Sequence, residues 1–118
     1  MSSKLEDKFL SKWNQLYPAL PLIPEYYFCK PRRFRADFAH VETMTLIDIQ
    51  GGVWMGGKSK HSSGVGITRD CEKLFLANTN GFAMFYLTSN MIADESNQYL
   101  KGIAHFIISQ LVKVRHSA

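Results

Sequence analysis

Asp37 and Asp48 are the side chains in this sequence best placed to do chemistry. They sit in the stretch RFRADFAHVETMTLIDIQ, from Arg33 to Gln50, which runs directly into Gly51 and Gly52. Phe34, Ala36 and Phe38 alternate with Arg33, Arg35 and Asp37. Further on, Thr45, Ile47 and Ile49 alternate with Met44, Leu46, Asp48 and Gln50. A period of two places each set on its own face of a strand. The pattern predicts strands over 33–40 and 43–50, joined by a short loop near Glu42. Paired as a hairpin, they would bring the two aspartates together near one end of one sheet face. Two carboxylates held close, with other oxygen ligands nearby, suit a hard divalent cation such as Mg²⁺. The same pattern also fits two solvated aspartates on half-exposed strands.

The charges around the pair point to a partner. Lys30, Arg32, Arg33 and Arg35 precede Asp37, while Lys58, Lys60, His61 and Arg69 follow the second strand. With a formal net charge of +4, the chain is compatible with an anionic ligand. Carboxylates bracketed by cations suit a site that cuts a polyanion.

Other elements must position these groups. Residues 4–17 read as an amphipathic helix with Leu5, Phe9, Trp13 and Leu16 on one face, capped by Ser2 or Ser3. Glu6 lies at the edge of that stripe, where it either reaches water or faces a polar pocket on the sheet. Pro18, Pro21 and Pro24 end the helix, and Glu25 to Cys29 reads as a first strand near an edge.

Gly51 to Gly66 is a glycine-, serine- and lysine-rich loop with no phosphate-binding fingerprint. Trp54 should anchor it, leaving Lys58, Lys60 and His61 to reach a ligand. A helix follows over 67–80, with Cys71, Leu74, Ala77 and Asn78 inward and Gly81 as its stop. Asp70 and Lys73 lie one turn apart at its margin and could pair with each other. Phe82 to Thr88 is the most apolar segment and reads as a central, covered strand. A last helix is predicted over 95–114, with Leu100, Ile103, Ala104, Ile107, Leu111 and Val114 inward.

The order helix, three strands, helix, strand, helix predicts a single α/β domain spanning residues 1–118. Cys29 and Cys71 show no zinc-ligand spacing, which suits a reduced, intracellular setting. No signal-peptide pattern and no run near the roughly 18 apolar residues of a membrane span is present, so a cytoplasmic protein is expected.

In combination, Glu6, Arg35-Ala36-Asp37-Phe38-Ala39, Asp48-Ile49-Gln50-Gly51-Gly52, Trp54, His61, Arg69-Asp70, Lys73 and Gly81-Phe82 resemble the PD-(D/E)XK nuclease superfamily. They are most similar to its compact branch related to very-short-patch-repair endonucleases. Each motif alone is weak, but their order and spacing over about residues 5–90 agree with the family.

The resemblance implies a restriction-endonuclease-like core, a mixed four-stranded sheet flanked by helices, and a Mg²⁺-dependent DNA endonuclease or nickase. Mn²⁺ would be able to substitute. Asp37 matches the first metal carboxylate and Asp48 the second, with the Ile49 carbonyl as a backbone ligand and Glu6 acting through a water molecule. Gln50 falls where the family usually has lysine. Glutamine can orient a water but brings no positive charge, so Lys73, Lys58 or Lys60 would have to supply one. His61 matches a general acid or a phosphate contact.

Arg32, Arg33, Arg35, Lys58, Lys60 and Arg69 would hold the phosphates of duplex, nicked or branched DNA. A Holliday-junction-resolving or homing enzyme on the same fold is an alternative, with a homodimer expected if specificity is high. An inert nucleic-acid-binding module is another.

Overall fold

A computed structural model describes residues 3–30, 33–51 and 64–117. Helix α1 spans Lys4–Leu16 and is capped by the Ser3 side chain. The Glu6 backbone N–H donates to Ser3 Oγ at 3.1 Å, and Ser3 Oγ donates to Glu6 Oε2 at 3.1 Å. The cap thereby fixes the first turn that carries Glu6. Phe9 and Trp13 are fully buried. Phe9 sits on Phe38 of the sheet with ring centroids 5.2 Å apart. The Trp13 indole donates to the Leu20 carbonyl at 2.7 Å, which ties the proline-rich connection back onto the helix.

Strands β1 (Ile23–Cys29), β2 (Phe34–His40), β3 (Thr45–Gln50) and β4 (Ala83–Thr88) form one sheet in the order β1-β2-β3-β4. The first three make an antiparallel meander. Strand β4 joins β3 in parallel after the crossover helix α2 (Gly64–Thr79). Helices α3 (Ser89–Ala93) and α4 (Gln98–His116) complete the chain. The result is a mixed four-stranded sheet flanked by helices, as expected.

One buried cluster joins α1, α3 and α4 to Phe38, Ile47 and Leu87 on one face of the sheet. The other joins Ala77 of α2 to Phe28, Phe34, Ala36, Ala39 and Leu46. Among the described residues, no helix is long and apolar enough to cross a membrane.

Three expectations need correction. Phe38 does not share a face with Phe34 and Ala36: it belongs to the α1 side, while they belong to the α2 side. The alternation of β2 therefore breaks at Asp37. Strand β4 is an edge strand and mostly half-buried; apolar composition marked it as covered but cannot tell an edge from a centre. Helix α2 turns differently from its apolar pattern, since Ala77 is buried while Cys71, Leu74 and Asn78 are exposed. Beyond those expectations, Ser89-Asn90 opens the short helix α3, whose first turn is capped by the Thr88 hydroxyl accepting from Met91 N–H at 3.3 Å.

Candidate functional site

The β2–β3 ladder pairs His40 with Thr45, Ala39 with Leu46 and Phe38 with Ile47. Continued by one step, it would set Asp37 opposite Asp48. There the carboxylates take over the bonding. The Asp37 backbone N–H donates to Asp48 Oδ1 at 2.9 Å, and the Ile49 N–H donates to Asp37 Oδ2 at 2.7 Å. Each aspartate thus accepts a bond from the opposite strand. The break in alternation at Asp37 is what turns its side chain toward β3.

The second oxygen of Asp48 accepts from the ammonium of Lys73, which reaches across from α2. Asp48 is 4% exposed, so its charge is held almost wholly by Lys73 and the Asp37 N–H. Asp37 is half-buried. Burial raises its pKa from 3.8 to about 6, against the lowering effect of the Ile49 N–H bond. The charges of Asp48 and Glu6 push it further up, and Lys73 pulls it down. Glu6 is therefore close enough for its charge to be felt at Asp37.

Asp37 and Asp48 bring together oxygen donors of the kind a hard divalent cation takes. Asp37 and Asp48 are held together with one ammonium, that of Lys73, and the raised pKa of Asp37 comes first from its burial and then from the charges of Asp48 and Glu6. Among the described residues no group of three or more His, Cys, Asp or Glu side chains forms a ready-made cage. Mg²⁺ does not ask for one, since it characteristically binds one or two protein carboxylates and keeps several waters. The N–H and C=O of a strand residue point to the same strand edge. The Ile49 carbonyl therefore faces β2 along with the N–H that Asp37 accepts.

Gln50 lies two residues beyond Asp48 on the same face, half-buried and registered against Thr88. Beside this group opens a cleft of about 290 Å³, lined by residues that include Arg33, Arg35, Asp37, Arg69 and Lys73. Arg35 is ion-paired with Glu25. The guanidinium of Arg69 lies 5.4 Å from the ring centroid of Phe34, a stacking contact that holds it at the cleft. Arg32, Lys58, Lys60 and His61 lie outside the described residues.

Two neighbours went unrecognised in the sequence. Tyr86 is registered directly across from Asp48, and its buried hydroxyl has no hydrogen-bond partner among the described residues. Burial raises its pKa to about 12, with further upward push from Asp48, Asp70 and Cys71. Aligning the β3 and β4 patterns in parallel would have found it. Tyr27, which also lines the cleft, gave no signal beyond an aromatic run.

In comparison with known proteins, no family model, no curated protein and no solved structure matches the chain.

Proposed function

We propose that this chain is a Mg²⁺-dependent DNA endonuclease or nickase with a restriction-endonuclease-like core. The observation that carries the reading is the reciprocal Asp37–Asp48 arrangement with Lys73 bonded to Asp48 beside an arginine-lined cleft. Asp37, Asp48 and the Ile49 carbonyl would hold the ion, with Glu6 contributing through a water molecule. When bound, Mg²⁺, or Mn²⁺ in its place, supplies Lewis-acid polarisation of the scissile phosphoryl group.

The remaining work falls to the chain's own side chains. Arg33 and Arg69, with Arg35, hold the flanking phosphates. Gln50 orients the attacking water through its amide. Lys73 supplies the fixed positive charge that Gln50 lacks, from the helix instead of the strand. His61 is the candidate for protonating the leaving oxygen. Loop cations Lys58 and Lys60, with Arg32, extend the phosphate contacts.

The test is nicking of supercoiled plasmid in Mg²⁺, Mn²⁺ and EDTA by wild type and Asp37→Asn. Asparagine is the informative replacement because its amide oxygen can still accept from the Ile49 N–H, whereas alanine removes a hairpin bond. Wild type is expected to nick with either ion and not in EDTA, and Asp37→Asn is expected to be inactive. Cutting by Asp37→Asn at the wild-type rate would remove Asp37 from the site. Binding by wild type without any metal-stimulated cutting would favour the inert binding module.

A further inference from the structure

The cleft that opens on Asp37 carries an aromatic side chain with no part in the cleavage scheme. Tyr27 is 46% exposed and lines the cleft with Arg33, Arg35 and Arg69. Its neighbours Tyr26 and Phe28 pack into the α2-side core, of which Tyr27 is not a part. It is registered opposite Arg35, and the β1–β2 register slips immediately afterwards, between Tyr27 and Cys29. Such bulges re-aim side chains and recur beside active sites. Strand β1 is also a sheet edge, so the phenol stands at the rim of the cleft. The nearby Phe34 cannot play the same part, being buried and covered by Arg69.

A half-exposed aromatic ring beside arginines and a cleavage centre is the composition of a base-stacking platform. Any nucleobase offers a π-face, so stacking works without reading sequence. A base still paired inside a duplex has both faces covered by its neighbours. A cleft of about 290 Å³ lies at the small end of ligand sites, a size suited to a single nucleotide. Arg33 and Arg69 beside Tyr27 would meet the phosphates flanking that nucleotide.

We propose that Tyr27 stacks on an unpaired nucleobase, so that the cleft takes single-stranded or branched DNA in preference to uninterrupted duplex. This rests on the reading of the cleft as a DNA site, and it names the substrate class that reading leaves open.

The experiment measures binding in EDTA, where cleavage plays no part. Fluorescence anisotropy would compare a labelled single strand, a forked duplex and a fully paired duplex of the same sequence. Wild type is expected to prefer the first two. Tyr27→Ala is expected to weaken both by about tenfold while leaving duplex affinity unchanged. Tyr27→Phe and Tyr27→Trp, which keep a ring, are expected to retain the preference, and unchanged melting curves would show that the variants are folded.

Equal single-strand affinity for wild type and Tyr27→Ala would overturn the proposal, as would a loss shared by Tyr27→Phe. Tyr27-dependent binding by a protein that never nicks plasmid in Mg²⁺ would leave stacking intact and sink the cleavage reading. Nicking with Tyr27-independent binding would do the reverse. No binding to any of the three DNAs would overturn both.

Discussion

Lys73 of α2 donates to Asp48 of β3 in an ion pair whose side chains are only 18% and 5% exposed. At that depth the two groups depend on each other more than surface partners do, because neither can turn to bulk water when the other is removed. The pair also joins the crossover helix to the strand that carries the second acid.

Lys73→Met, which keeps most of the apolar stem, should therefore cost about 3 kcal/mol of folding stability by leaving the Asp48 charge unpaired. Adding Asp48→Asn should restore much of that loss. Urea denaturation of the two single variants and the double variant gives the coupling directly. Simple additivity would mean that the contact contributes nothing to the fold.

Asp37 gives a pH signature in metal-free buffer. Its folded-state pKa, about 6, lies above the ordinary value of 3.8. Between these values the folded protein binds more protons than the unfolded chain, so this residue's contribution falls as pH rises through the window. Above pH 6 the folded state carries a half-buried charge at a cost. Asp37→Asn should accordingly be more stable than wild type at pH 7.5, and the difference should vanish near pH 4. Thermal melts across pH 4 to 8 would reveal this, and a pH-independent difference would contradict it.

The half-buried charge of Asp37 also predicts stabilisation by a bound metal ion. At pH 7.5, Mg²⁺ at ten times its dissociation constant should add about 1.4 kcal/mol of stability, which for a domain of this size is about 5 °C in Tm. EDTA should reverse the shift and Asp37→Asn should lack it. A shift equal in both proteins would place the ion elsewhere.

Phosphate contacts should appear in the salt dependence of DNA binding. Arg33→Ala and Arg69→Ala should each flatten the slope of log affinity against log salt by about 0.7 to 0.9. Lys101→Ala, an exposed α4 residue absent from the cleft lining, should leave it unchanged. Anisotropy titrations from low to moderate salt would separate these outcomes.

The convergence of Asp37 and Asp48 was legible because a period-two pattern with a short loop permits few pairings. The direction of Lys73 was less so. An amphipathic reading of α2 sends Cys71 and Leu74 inward, yet Leu74 is 37% and Phe75 64% exposed. Ala77 instead lets the helix approach the sheet closely, and Lys73 follows it inward to meet Asp48. Periodicity cannot foresee a helix rotated to deliver an ammonium to a buried acid. The break at Asp37 was equally hidden, since nothing in Ala36-Asp37-Phe38 announces that the flanking residues will face opposite ways. The expectations for Lys58, Lys60 and His61 fall outside the described residues and stay as the sequence left them.

The order in which this sheet is wired has a kinetic consequence. Strands β1, β2 and β3 are joined by short connections, whereas β3 meets β4 only after the whole of α2. Local pairings form before long loops close. The two acids should meet early, in the meander, while Lys73 docks with the later crossover. Substitutions that break the Lys73–Asp48 contact should then speed unfolding and leave the refolding rate nearly untouched, which stopped-flow measurements on Lys73→Met would detect. On this account the nascent meander holds its acids together before their cation is docked, and the site is complete only when the last strand closes the sheet.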